Sequence, residues 1–155
     1  MLKRKILVTL VVGFVVIMIG WLHVKSTPTV IDLAPLVSVK PNQNYANLIN
    51  TVTKAPIPEA GFSFVVLGDT RKNLSVAENV MKEAIKGKPA FILHTGDLLS
   101  EGTAKEYVEY HMKLVEAVQP VPVIPVPGNH EKGTNQDYAV FKEVYGGLRF
   151  SFNYG

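Results

Sequence analysis

The chain has 155 residues, no cysteine and a formal net charge of +3. That charge comes from the amino terminus: four of the sixteen basic residues precede Asp32, the first acidic residue, and the remainder carries 12 − 13 = −1. The lack of cysteine excludes disulfides and thiolate ligands, so any metal would be held by oxygen or imidazole donors. Lysines and arginines are scattered and form no basic stripe between aromatic residues, so we expect no nucleic-acid-binding surface.

The first predicted element is an apolar helix. Ile6–Leu22 is apolar apart from Thr9 and two glycines, and it follows three basic residues at positions 3–5. As a helix it would reach about 25 Å, short for a hydrocarbon core of about 30 Å but workable with thinning or snorkelling. We therefore predict a signal peptide or signal anchor at residues 1–25, and favour an uncleaved anchor because no Ala-x-Ala site follows. The rest of the chain is then exported, facing outward from the cell membrane, or secreted if the signal is cleaved.

Residues 26–60 are predicted to be a Pro-rich linker. They contain five prolines among polar residues and show no sustained period of 3.6 or 2. From residue 61 to 155, strand and helix signals alternate, which is typical of an α/β domain.

Three strands are predicted in this domain, at Phe62–Leu67, Ala90–His94 and Val121–Val126. Prolines interrupt the third and make it an edge or irregular strand. Capping boxes that begin at Ser75 and Thr103 predict two helices after the first two strands. A weaker helix is expected around residues 137–145, and residues 150–154 alternate like the start of another strand.

Each predicted strand ends in a glycine that is followed by a metal-capable side chain. The segments are FVVLGDTR, FILHTGDLL and VIPVPGNHE. Asp97 follows Asp69 by 28 residues and Asn129 follows Asp97 by 32, which is roughly one βα unit in each case. If the strands are neighbours, two carboxylates and an amide oxygen meet in one cleft and can hold a hard cation, with His130 beside them.

The three blocks resemble the calcineurin-like metallophosphoesterase pattern GDxH, GDxxx and GNH(E/D), over Phe62–Gly155. The resemblance implies a two-metal phosphomonoesterase or phosphodiesterase on an α/β/β/α sandwich, with Mn, Fe, Zn or a mixed pair. By position, Asp69 would bind the first metal, Asp97 would bridge both metals and Asn129 would bind the second. His130 would be the catalytic histidine, and a hydroxide activated by the two metals would attack the phosphorylated substrate. Glu131 is expected to support or cap this turn.

The chain departs from the family pattern in two places. Arg71 stands where the first block has a histidine, and a guanidinium has no acceptor with which to ligate a cation. Arg71 could instead bind a substrate phosphate bidentately, or leave the site with one well-held metal. No histidine follows His130, so the later histidine blocks of the family are missing.

We therefore interpret the chain as the amino-terminal half of a phosphoester hydrolase and expect the 155-residue chain itself to be inactive. The alternative is a membrane-tethered, non-catalytic binding module with a degenerate metallophosphoesterase fold. A third hypothesis, an α/β enzyme that uses Asp69 as a nucleophile with Mg²⁺, leaves Gly-Asn-His unexplained.

Overall fold

The computed structural model describes residues 29–38 and 43–155. Three short strands form a parallel sheet in the order β1 (Val65–Leu67), β2 (Ile92–His94) and β3 (Val123–Pro125). Val65, Ile92 and Val123 lie in register, so all three strands end at the same edge of the sheet. The three predicted strands are thus present and lie side by side, and β3 lies at an edge of the described sheet, where its Pro125 needs no N–H donor.

In the described part of the chain, four helices and several short turns surround the sheet. The helices are α1 (Tyr45–Lys54), α2 (Leu74–Ala84), α3 and α4 (Ala139–Tyr145). Helix α3 is continuous over residues 104–117 but changes pitch, with α-helical ends at Ala104–Glu106 and Met112–Ala117 and a π-helical turn at Tyr107–His111 between them. Short 3₁₀ turns occupy Ala34–Ser38, Ile85–Gly87 and His130–Lys132.

The helix starts differ in detail from the predicted capping boxes. Helix α2 is capped by Asn73, whose side chain accepts the N–H of Val76, so the predicted start at Ser75 is wrong by two residues. Thr103 caps α3 as predicted, by accepting the N–H of Glu106 at 3.2 Å. The Glu106 carboxylate instead accepts the N–H groups of Ser100 and Glu101, so it supports the preceding loop.

Helix α1 lies inside the segment predicted to be an irregular linker. Asn44 caps it by accepting the N–H of Asn47, and Tyr45, Leu48 and Val52 are buried on one face. The Tyr45 hydroxyl donates to the Pro125 carbonyl at 2.7 Å, which joins α1 to β3. The linker prediction is therefore wrong over Tyr45–Lys54, because three apolar residues at helical spacing are enough to bury one face. The division of the chain at residue 60 remains a prediction.

Apolar side chains pack on both faces of the sheet, as parallel sheets require. Val123 and Ile124, which are neighbours along β3, belong to two different buried clusters. One cluster joins α1, α4 and the first part of α3 around Phe91 and Ile124, and the other joins α2 and the end of α3 around Ile92 and Val123. The loops at the carboxyl ends of the strands are therefore held by a core on either side.

Residues 150–154 are not a strand, contrary to expectation. Their burial still alternates, and Phe150, Phe152 and Tyr154 pack against the first cluster. The predicted signal or anchor at residues 1–25 lies outside the described residues. Within residues 29–38 and 43–155, no helix is long and apolar enough to span a membrane. The predicted class, a mixed α/β fold with a parallel sheet, is confirmed.

Candidate active site

The loops after β1 and β2 share an unusual backbone conformation. Asp69 and Asp97 both have positive φ, at 54° and 56°, a region that few residues other than glycine adopt. The N–H of Asp69 donates to the Gly96 carbonyl at 3.1 Å, which fastens the first loop to the second. The two predicted aspartates are thus presented by linked turns at the same edge of the sheet.

The second and third loops pack so closely that only glycine fits at their contact. A Cβ at Gly96 would lie 2.3 Å from the Gly128 nitrogen, and a Cβ at Gly128 would lie 2.2 Å from Asp97 Oδ1. Gly96 also has a φ of +100°, so it makes the sharp turn that the sequence indicated. The glycines therefore bring the Asp97 carboxylate against the backbone of the Asn129 turn.

Arg71 points its guanidinium at groups from all three loops. Its Nε lies 3.4 Å from Asp69 Oδ1 and its Nη2 lies 3.8 Å from Asp97 Oδ2. Its Nη1 contacts His130 Nε2. The side chain is three-quarters buried, as is fitting for a cation enclosed by these partners. Arg71 is therefore the centre of the cluster that the three blocks form.

The hydrogen bonds of His130 fix its tautomer. Its Nδ1 lies 2.6 Å from the Ser100 carbonyl, which can only accept, so Nδ1 carries the proton. Its Nε2 then presents a lone pair to the Arg71 guanidinium. The backbone N–H of His130 donates to Asp97 Oδ1 at 3.2 Å, which ties the histidine turn to the second loop.

The structure therefore brings Asp69, Arg71, Asp97 and His130 into one contact network, whose sequence separations reach 59 residues. Asn129 lies in the same turn, immediately before His130, and is exposed. The two carboxylates differ in environment: the Asp69 side chain is 75% exposed and that of Asp97 is 15% exposed. The roles assigned to these five residues remain predictions.

The family model for calcineurin-like phosphoesterases matches residues 62–154. The chain belongs to the calcineurin-like phosphoesterase family. Neither a curated protein nor a solved structure matches the chain significantly. The match confirms the resemblance seen in the three blocks, and it starts at the residue where the first strand was predicted.

Membership in the calcineurin-like phosphoesterase family implies phosphoester hydrolysis and divalent metals, and the residues present can be compared with that chemistry. In residues 29–38 and 43–155, no group of three or more histidine, aspartate or glutamate side chains converges as a metal site. Asp69, Asp97 and Asn129 nevertheless supply hard oxygen donors of the kind that one divalent cation takes. Arg71 stands at the position of the family histidine. Its guanidinium is positively charged and has no lone pair, so Arg71 cannot serve as a metal ligand there.

Glu131 supports the backbone of the candidate active site. It is 1% exposed, and its carboxylate accepts N–H groups from Asp97 at 2.8 Å, Leu99 at 3.0 Å and Gly128 at 2.7 Å. These bonds hold the second and third loops together, in agreement with the expectation that Glu131 supports the turn. The acidic residue that ends the Gly-Asn-His-Glu block is the sequence signal for this role.

Thr70, His94 and Tyr110 hold the first loop, and sequence analysis did not group them. His94 Nδ1 accepts the N–H of Gly96 at 3.2 Å, so its Nε2 carries the proton and donates to Thr70 Oγ1 at 3.0 Å. The Tyr110 hydroxyl donates to the Thr70 carbonyl. Burial lowers the pKa of His94 to about 4 against an opposing contribution from the Asp97 charge, so His94 is neutral near pH 7. Thr70, between Asp69 and Arg71, is thereby anchored on both sides.

Proposed function

We propose that this chain carries phosphate-binding and metal-binding residues of a metal-dependent phosphoester hydrolase site. The observation that supports this most directly is the convergence of Asp69, Asp97 and His130 on Arg71 from three separate loops. Those loops follow parallel strands at the edge where α/β sheets bind ligands. The substrate would be a phosphomonoester or a phosphodiester.

The charges in the cluster indicate why a metal is needed. Two carboxylates and one guanidinium sum to 1 − 2 = −1 when His130 is neutral. A cluster of this charge repels a phosphate, and a bound divalent cation would reverse the sign to +1. Asp97 and Asn129, with Asp69, would hold this cation, which would polarise a phosphoryl oxygen and attract its negative charge. The two-metal form of the reaction that the resemblance implies stays a prediction.

Arg71 and His130 would act directly on the substrate. Arg71 has a planar fork of N–H donors that matches two oxygens of a phosphate group, and it retains its charge at any working pH. His130 has its Nδ1 proton held by the Ser100 carbonyl, so Nε2 carries the lone pair and is the atom that would first take up a proton and then give it to the leaving oxygen. Asp97 and Glu131 would keep this imidazole in place through the backbone of its turn.

The proposal can be tested with Mn²⁺ and inorganic phosphate as probes on the 155-residue chain. We expect phosphate binding, measured by calorimetry, to require Mn²⁺ and to be lost in the Asp97→Asn variant. Asp32→Asn is the matched control: Asp32 is exposed, outside the site, and an asparagine keeps the oxygen that accepts the Ala34 N–H. Phosphate binding that is independent of both Mn²⁺ and Asp97 would contradict the proposal.

Hydrolysis separates the enzyme from the binding module. The same proteins would be assayed with p-nitrophenyl phosphate and bis(p-nitrophenyl) phosphate, and with His130→Gln as the catalytic variant. Mn²⁺-dependent turnover that His130→Gln abolishes would establish the enzyme and show the expected inactivity of this chain to be wrong. Binding without turnover favours the non-catalytic module for this chain.

The finer fold and the location are also proposals. Val66 in β1 and Phe64 just before it are about half exposed, and these apolar side chains support an α/β/β/α sandwich in which further secondary structure covers β1. The basic residues at positions 3–5 and the apolar Ile6–Leu22 support export and a membrane tether. Recovery of the expressed protein in membranes after an alkaline carbonate wash would support the tether, and complete release would contradict it.

A further inference from the structure

We infer that Arg71 is a built-in cation that takes the place of one of two metal ions, so that the site binds one divalent cation. The inference rests on the proposed function and goes beyond it, because it sets the number of metal ions. It also assigns the departure from the family pattern at Arg71 a definite chemical role.

The Arg71 guanidinium lies between the groups that would otherwise bind a metal ion. Its three nitrogens face three different groups: Asp69 through Nε, Asp97 through Nη2 and His130 through Nη1. Carboxylate oxygens and an imidazole lone pair are the donors that a metal ion would collect from these loops. Here they surround a guanidinium instead, with the His130 lone pair directed at it by the bond from Nδ1 to Ser100.

The positive charge of the Arg71 guanidinium is permanent. An arginine side chain stays protonated at any working pH, so this cation cannot be neutralised to make room for a metal ion. A second divalent ion would sit against a positive charge and share Asp69, Asp97 and His130 with it. The hydrogen bonds that hold Thr70 fix the backbone on the amino side of Arg71, which keeps the guanidinium in place.

Arg71 and one divalent cation together outweigh the negative charge of the two carboxylates. The guanidinium and one divalent cation bring the two carboxylates to a formal charge of +1, which suits a phosphate ligand. Asn129, an exposed residue in the third loop, has an uncharged side-chain oxygen that one cation can share with Asp97. Unlike a metal ion, the arginine cannot be removed by a chelator, so part of the positive charge survives chelation.

The stoichiometry of Mn²⁺ binding tests the inference. We expect calorimetry to give about one Mn²⁺ for the wild-type chain and about two for Arg71→His, which restores the family's ligand. Electron paramagnetic resonance should show an isolated six-line Mn²⁺ signal in the wild type and a spin-coupled pair in Arg71→His. Arg149→His, at an exposed position outside the site, is the control and should bind as the wild type does.

The possible results are distinguishable. Two ions in the wild type, or one ion in both wild type and Arg71→His, overturn the inference and leave the metal-dependent function standing. No Mn²⁺ in any variant contradicts the proposed function and the inference together. If Arg71→His fails to fold by circular dichroism, Arg71→Gln removes the charge at similar size, and Mn²⁺ should then bind about tenfold more tightly. Unchanged affinity in folded Arg71→Gln would overturn the inference.

Discussion

The buried carboxylate of Glu131 accepts the backbone N–H of Asp97 at 2.8 Å, and so joins the third loop of the site to the second. The same oxygen accepts the N–H of Gly128 at 2.7 Å, and the other oxygen accepts the N–H of Leu99. Three backbone donors from two loops therefore depend on one side chain. The shape of the site rests on a residue that need not touch the substrate.

Replacement of Glu131 by glutamine should therefore be costly. An amide has one acceptor oxygen, so its NH₂ group would face at least one of the three N–H donors and leave it unsatisfied in a buried position. We expect a loss of about 2–4 kcal/mol in the free energy of unfolding, measured by urea denaturation. Glu116→Gln, at an exposed position on α3, should change stability by less than about 0.5 kcal/mol. Equal stability of the two variants would show that the Glu131 bonds contribute little.

Gly128→Ala should separate the second and third loops. The added Cβ would lie 2.2 Å from Asp97 Oδ1 and 2.5 Å from the Asp97 nitrogen, and the backbone atom cannot rotate away. We expect a loss of about 2 kcal/mol or more in stability and at least tenfold weaker Mn²⁺ binding. In the control Gly87→Ala, the Cβ meets nothing within 4 Å, so stability should stay within about 1 kcal/mol of wild type. Wild-type Mn²⁺ affinity in Gly128→Ala would contradict the close packing of these loops.

Thr70→Val tests the hydrogen bond that anchors the first loop. Valine matches threonine in shape but cannot accept the proton of His94 Nε2, which is buried. We expect a loss of about 1–3 kcal/mol in chemical denaturation, since an unpaired buried donor results. Thr70→Ser keeps the hydroxyl and should lose less, despite its smaller size. If serine were the more costly change, packing of the methyl group and not the hydrogen bond would hold this residue.

Stability should fall as the solution becomes acidic, because two buried histidines resist protonation. Burial lowers the pKa of His111 to about 3 and that of His94 to about 4. Below the ordinary value near 6.5, the unfolded chain takes up protons that the folded chain refuses. Stability is therefore lost as the pH falls from 6.5 toward these values. From pH 6.5 to 5, each histidine should cost roughly 2 kcal/mol.

The His111→Gln variant isolates one of these contributions. Glutamine does not titrate in this range and can still hydrogen-bond the Tyr145 hydroxyl, which lies 2.9 Å from His111 Nε2. Denaturant titrations at pH 6.5 and 5 should show about half of the histidine-dependent loss in this variant. A loss as large as that of the wild type would mean that His111 is protonated in the folded protein.

The strands and the loops that end them could be predicted, because their signals are local. An apolar run followed by glycine marks each strand end, and the spacing of Asp69, Asp97 and Asn129 fits one βα unit between neighbours. Helix α1 could not be recognised with the same ease. Its three buried residues lie among prolines and polar residues, so the helical pattern extends over too few residues to stand out in the sequence. The packing of α1 against β3 shows that the helix belongs to the fold.

The contacts between residues of the site were harder to predict than which residues form the site. The sequence indicates that Arg71 belongs to the first loop, yet its contact with His130 joins residues 59 apart. The bond from His94 to Thr70 spans 24 residues, and that from Tyr110 to Thr70 spans 40 and depends on a π-helical turn. No local pattern encodes such pairs, because they arise only when β1, β2 and α3 pack together.

Tyr45, Leu48 and Val52 contribute to the same core as the residues of the family match, although they precede its first residue by ten positions or more. The buried core therefore includes residues that lie outside the part of the chain that the family model matches. A recombinant chain that began at Phe62 would contain every block of the site but would uncover the aromatic rings of Phe141, Tyr145 and Phe150, against which Tyr45 packs. The packed core of the described residues therefore includes Tyr45, whereas the family match begins at Phe62.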